Sequence, residues 1–89
     1  MNTIASLRHE IDEVHKELHA LLLRRRDLTM AIWKIKKAEG LPFLSPEREA
    51  QILKDFARDG GDPQMDELLT GIMRSVLREY EKYLRANFP

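Results

Sequence analysis

The sequence has no cysteine, so disulfides and thiolate metal sites are excluded from its 89 residues. It also lacks an apolar run near the roughly 20 residues that a membrane-spanning helix needs, and MNTIASLRHEI at its start is too polar for a signal peptide. Fifteen basic residues balance fifteen acidic ones, which argues against general binding of nucleic acid. We therefore expect one cytoplasmic domain over residues 1–89 that binds neither nucleic acid nor membrane.

Glycine and proline are absent from residues 3–39, which predicts one long helix over about that range. Its apolar residues follow a three-four alternation, at Ile4, Leu7, Ile11, Val14, Leu18, Leu21, Leu28, Ile32 and Ile35. Such a helix is on the order of 54 Å long, too long for a compact monomer with a radius of gyration near ~12 Å. Because the rest of the chain is too short to cover this stripe, the pattern predicts a homodimer.

Glycine and proline return after the first helix and predict two shorter helices. Gly40 ends the first helix, and Ser45-Pro46 supplies an N-cap and a first-turn proline for a helix over about 46–58. The run Gly60–Pro63 predicts a stop, a turn and a new N-cap before a third helix over about 63–85. No strand pattern is present. The predicted fold is all-α, with one long N-terminal helix and two shorter helices.

One position of the apolar stripe carries a charge. Counting heptads through LLLRRRDL at residues 21–28 puts Arg25 in the seam. An unpaired buried guanidinium costs several kcal/mol by rough estimate, so this side chain must be paired or reach water. It either sets the register of paired helices or forms part of an anion site inside the bundle. Arg24 and Arg26 are expected to be solvated or paired with neighbouring acids.

Other polar residues border the apolar faces. Lys36 follows Arg25 by eleven residues, which returns it to within about 20° of the same face and about 16 Å further along. Arg8 precedes Arg25 by seventeen residues, about 25 Å away, so only the partner subunit's Arg8 could reach the same site. The polar residues that border the apolar faces of the other two helices are Arg48, Ser75 and Glu79.

The order of short motifs along the chain resembles that of the all-helical chorismate mutase family. The motifs are L-R-x-E-I-D at 7–12, L-x-x-L-L-x-x-R at 18–25, I-x-x-I-K at 32–36 and G-x-P-x-x-x-P-x-R-E at 40–49. Each piece is short, but the ordered combination is specific and covers nearly the whole chain. The resemblance implies an intertwined homodimer of three-helix chains, with two active sites built from both subunits. It also implies conversion of chorismate to prephenate by a Claisen rearrangement, without a cofactor or a metal.

The resemblance assigns roles to individual residues. It implies that Arg25 and the partner subunit's Arg8 bind the two carboxylates of chorismate by charge-assisted hydrogen bonds. Lys36 would bind a carboxylate and the ether oxygen. On the second helix, Arg48 falls on the family's conserved arginine. Glu49 falls on the acid that accepts a hydrogen bond from the ring hydroxyl.

Three further positions complete the implied site. Ser75 matches a hydroxyl near the ring carboxylate, and Glu79 falls where the family has a Gln or Glu facing the ether oxygen. Because a glutamate donates a hydrogen bond only when protonated, either Glu79 takes up a proton readily or activity rises toward acidic pH. Ser45 stands where the family often has Asp, which leaves its hydroxyl or backbone contact with the substrate open.

Other functions stay open at this point. A close enzymatic alternative on the same scaffold is an isochorismate pyruvate lyase, and a non-enzymatic one is a helical dimerisation module in which Arg25 only sets register. His15 and His19 of HKELH lie one helical turn apart, but no third ligand follows, so we expect no metal site. The pathway is equally open between aromatic amino-acid synthesis and a specialised metabolite route.

Overall fold

The computed structural model describes residues 2–58 and 61–88, and these residues form helices and connecting segments without a strand. The helices are α1 (Ile4–Glu39), α2 (Pro46–Phe56) and α3 (Pro63–Asn87). The predicted all-α fold with one long N-terminal helix is confirmed. Gly60, which was predicted to stop the second helix, lies outside the described residues. In the part of the chain that is described, no helix is long and apolar enough to cross a membrane.

Short-range hydrogen bonds define both ends of α1. At the start, the Thr3 amide donates to Ser6 Oγ at 2.9 Å and the Ser6 amide donates to Thr3 Oγ1 at 3.0 Å, a reciprocal capping box. At the end, Gly40 adopts a φ of 70°, and the Leu41 amide donates to the Lys36 carbonyl at 2.8 Å. This is the Schellman geometry, in which a glycine in the left-handed region ends the helix. The predicted terminator is therefore confirmed.

Side-chain caps begin the two shorter helices. Ser45 Oγ accepts a hydrogen bond from the Arg48 amide at 3.3 Å at the start of α2. Asp62 Oδ1 accepts from the amides of Gln64 and Met65 at 3.1 and 3.2 Å at the start of α3. Both caps are followed by a proline, and both agree with the sequence prediction.

The last turn of α2 is tighter than the sequence pattern suggested. The Arg58 amide donates to the Asp55 carbonyl at 3.4 Å, a bond between residues three apart. Such bonds close off a helix because they replace the four-residue spacing of the α-helix. As a result α2 ends at Phe56, two residues before the predicted end, whereas α3 extends to Asn87, two residues beyond its predicted end.

Contacts divide the chain into two units, residues 1–32 and 33–89. The first unit consists mainly of the N-terminal part of α1, and none of its described residues, 2–32, is buried. Its apolar stripe is between 44% and 70% exposed, at Ile4, Leu7, Ile11, Val14, Leu18, Leu21, Leu28 and Ile32. A long row of exposed aliphatic side chains is typical of a surface that another protein chain covers.

The second unit has a small core. Trp33, Met73 and Leu84 are the buried apolar residues of its described part, with 4%, 9% and 2% of their surface exposed. The Trp33 and Phe43 rings stack with centroids 4.4 Å apart and planes 10° apart. α2 packs against α3 in the same unit. Trp33 is therefore a packing residue of this core.

Candidate functional site

Two of the predicted site residues lie in the first unit, and both are on α1. Arg8 is exposed, and Arg25 is half-buried within the otherwise aliphatic stripe. Arg24 is exposed, and Arg26, which is half-buried like Arg25, pairs through Nε with Asp27 Oδ1 at 3.0 Å. The expectation that Arg24 is solvated and that Arg26 pairs with a neighbouring acid is therefore confirmed.

Lys36 is held by the segment that joins α1 to α2. Its Nζ donates a hydrogen bond to the Phe43 carbonyl at 2.9 Å, and its side chain is half-buried. An ammonium group has three donors. One is used by this main-chain contact, so two can still serve a ligand.

The first turn of α2 carries three more predicted site residues. Ser45 caps the helix, Arg48 is exposed, and Glu49 is half-buried. Glu49 lines a cleft between α2 and α3, whose other lining residues are Leu53, Arg74, Leu77, Arg78 and Glu81. The cleft therefore combines a small apolar part with charges of both signs. Its two arginines, Arg74 and Arg78, are not among the predicted site residues, although they lie one helical turn apart beside Leu77.

Ser75 and Glu79 lie one turn apart on α3 and are both exposed. Ser75 Oγ donates to the Gly71 carbonyl at 3.2 Å, and Glu79 Oε1 accepts from Lys82 Nζ at 3.3 Å. Leu68 lies two turns before Ser75, and Ile72 lies one turn before it, and both are exposed apolar residues. The Ser75–Glu79 pair therefore continues an exposed apolar stripe. The α3 residues that line the cleft are Arg74, Leu77, Arg78 and Glu81. At about 100° per residue, the Ser75–Glu79 pair lies roughly 130° around the helix from the centre of that face.

The structure thus brings some predicted site residues together and leaves others apart. Within the second unit, Lys36 contacts the segment before α2, Ser45 lies in the same turn as Arg48 and Glu49, and Ser75 lies beside Glu79. Glu49 and the Ser75–Glu79 pair face different sides of α3. The described residues hold no group of three or more His, Cys, Asp or Glu arranged for a metal ion.

Comparison with known proteins identifies the family. The family described as chorismate mutase type II matches residues 7–83. Curated relatives include the T-protein of Enterobacter agglomerans, 35% identical over 79 residues that cover 85% of this chain and 21% of the relative. The T-protein of Haemophilus influenzae is 31% identical over 80 residues, which cover 89% of this chain and 21% of the relative. The chain therefore spans about a fifth of the length of these relatives. It belongs to the chorismate mutase type II family.

Proposed function

We propose that this chain is a chorismate mutase, an isomerase that converts chorismate to prephenate. The observation that carries the proposal is the family match over residues 7–83, because every predicted site position from Arg8 to Glu79 lies inside it. The same match supports a single family domain. The proposed location is the cytoplasm, and the reaction uses neither a cofactor nor a metal.

The chemistry calls for cations and hydrogen-bond donors in fixed positions. In the rearrangement one C–O bond of the ether breaks and one C–C bond forms within the same molecule, so no group enters or leaves. Catalysis then depends on holding a dicarboxylate in its compact conformer and stabilising the negative charge that develops on the ether oxygen. Family membership and the charges of the side chains support this type of site.

The carboxylates of chorismate are bound in the proposal by Arg25 and by the partner subunit's Arg8. Arg25 is suited to this because it is half-buried among aliphatic side chains, where a bidentate contact with a carboxylate is stronger than in water. Lys36 binds a carboxylate and the ether oxygen. Its hydrogen bond to the Phe43 carbonyl supports this role, because two donors remain for those two oxygens.

The polar residues of α2 and α3 complete the proposed site. Glu49 accepts a hydrogen bond from the ring hydroxyl of chorismate, and Ser75 binds near the ring carboxylate. Glu79, when protonated, donates a hydrogen bond to the ether oxygen. Arg48 adds a cation on α2. The Ser45 side chain caps α2, and its hydroxyl or backbone is a further candidate contact with the substrate.

A second copy of the chain covers the exposed stripe of α1 in this proposal. Each aliphatic side chain contributes about 1.5–3 kcal/mol when it moves from exposed to fully buried. Eight such side chains in the first unit are at least 44% exposed, so burying them drives association strongly. An intertwined homodimer also explains how the partner subunit's Arg8 reaches a site that contains Arg25.

The test is an ultraviolet assay of chorismate loss, with isochorismate as a second substrate and prephenate identified as the product. Arg25→Ala is expected to lower kcat/KM by roughly a hundredfold or more, the usual effect of losing one charge-stabilising donor. Arg24→Ala is the matched control, because this exposed neighbour lies outside the site, and it should retain near wild-type activity.

Three outcomes would contradict the proposal. Consumption of isochorismate alone would indicate the lyase reaction. A stable dimer that converts neither compound would indicate a dimerisation module. An equal loss of activity in the Arg24 and Arg25 variants would show that the site does not depend on the seam arginine.

A further inference from the structure

An aromatic stack lies beside the site lysine. Trp33 precedes Lys36 by three residues on α1 and is almost fully buried. The Phe43 ring stacks on it, with centroids 4.4 Å apart, and the Phe88 ring from the end of α3 packs at a tilt against both, at 5.9 and 6.2 Å. Such stacks have a preferred geometry, so they restrict where each ring can lie.

The main chain of Phe43 links this stack to Lys36. The Phe43 carbonyl accepts the hydrogen bond from Lys36 Nζ at 2.9 Å. A lysine head lies at the end of a flexible four-carbon stem, so a fixed acceptor is needed to restrict it to one place. The bond is charge-assisted, which makes it stronger than a bond between neutral groups.

The rest of the connecting segment also limits where this carbonyl can lie. On one side of Phe43, the Leu41 amide is bonded to the Lys36 carbonyl at 2.8 Å. On the other side, the Ser45 side chain is bonded into the first turn of α2. Phe43 lies between these two anchors, is half-buried, and stacks on the buried Trp33 ring. The direction of its carbonyl therefore depends on the stack.

We propose that Trp33 and Phe43 are positioning residues for the reaction, because their stack fixes the carbonyl that holds the Lys36 ammonium. The inference rests on the role of Lys36 in the proposed function. The carbonyl takes one donor of the ammonium and leaves the other two directed away from the main chain. Loss of the stack would let the lysine head move without changing the site's charge.

The kinetic test compares two substitutions within the same aromatic cluster. Phe43→Leu removes the stacking ring next to the carbonyl, and it is expected to lower kcat by about tenfold to a hundredfold, the cost of a small misplacement of a reacting group. KM should rise less, because Arg25 and the partner subunit's Arg8 still bind the carboxylates. Phe43→Tyr keeps the ring and should restore near wild-type kcat. Phe88→Leu is the control, since it weakens the cluster without altering the Lys36 anchor.

A second readout does not depend on turnover. Lys36 is half-buried, whereas Lys34 and Lys37 are exposed, so competitive acetylation should label Lys36 more slowly. In Phe43→Leu the acetylation rate of Lys36, relative to Lys34 and Lys37, is expected to rise about fivefold, which corresponds to the loss of one hydrogen bond. Phe88→Leu should leave this relative rate unchanged.

A wild-type chain with slow Lys36 labelling but no chorismate turnover would overturn the proposed function alone. Unchanged Lys36 labelling in Phe43→Leu, or equal kcat losses per folded protein in the Phe43 and Phe88 variants, would overturn the positioning role.

Discussion

Glu79 is the residue whose hydrogen-bonding capacity matters most to the proposed chemistry. Its carboxylate pairs with Lys82 in the single chain, and its side chain is 67% exposed. In the proposed site it faces an ether oxygen that gains negative charge, and only the protonated carboxyl can donate a hydrogen bond there. The charge state of one side chain therefore decides whether it helps or opposes the reaction.

We expect Glu79→Gln to keep or raise kcat at neutral pH, because the amide is a permanent hydrogen-bond donor to the ether oxygen, whereas a carboxylate can only accept. Glu81→Gln is the control, since it removes a similar ion pair on α3, with Arg85, and should leave kcat near the wild-type value. A large loss of kcat in Glu79→Gln would contradict this assignment.

The helices depend on local signals that can be tested one at a time. Gly71 lies inside α3 and Gly40 lies just after α1, and a Cβ added at either position would meet nothing within 4 Å beyond the adjoining backbone. Of these two glycines, Gly40 has a positive φ, at 70°, and Gly71 does not. The two glycines therefore have the same free space and different backbone requirements.

Gly71→Ala should raise the free energy of unfolding by about 0.5–1 kcal/mol, because alanine loses less conformational entropy in a helix. Gly40→Ala should lower it by roughly 1–2 kcal/mol, because alanine is strained in the left-handed region. Urea denaturation of both variants measures the difference. Destabilisation by Gly71→Ala would show that this position is closely covered by another element or chain.

The N-cap of α3 provides another test at the level of the element. Asp62→Ala removes the acceptor for two main-chain amides and is expected to cost about 0.5–2 kcal/mol of stability. Asp62→Ser keeps a capping oxygen and should cost much less. Equal losses in thermal or urea denaturation would mean that the cap does not contribute.

The elements and caps were largely predictable because their signals are local in the sequence. Gly40, Ser45 and Asp62 each act on amides or carbonyls within a few residues, so their types and positions are sufficient to predict the helix boundary. The contact between Lys36 and Phe43 was not predictable. Its acceptor is a main-chain carbonyl, which every residue has. The direction of that carbonyl depends on the stacking of the Phe43 ring on Trp33, a contact that the local sequence pattern does not reveal.

At the scale of the whole molecule, the exposed stripe of α1 needs a covering surface. If a second copy covers it, light scattering should give twice the mass of one chain at micromolar concentration. Leu18→Asp places a charge in the stripe and should shift the equilibrium toward monomers. His19→Asp is the control, because this exposed neighbour lies outside the stripe. A wild-type monomer at micromolar concentration would contradict the shared site.

The most direct test of a catalytic site shared between two chains uses two inactive variants together. Arg8→Ala and Arg25→Ala should each lose activity as separate homodimers, since each removes from every proposed site one of the two arginines that would bind the carboxylates. When the two are unfolded and refolded together, half of the dimers are mixed, and each mixed dimer has one intact site. We predict that chorismate turnover recovers to roughly a quarter of the wild-type level. Mixed dimers that form and remain as inactive as the separate variants would contradict the account.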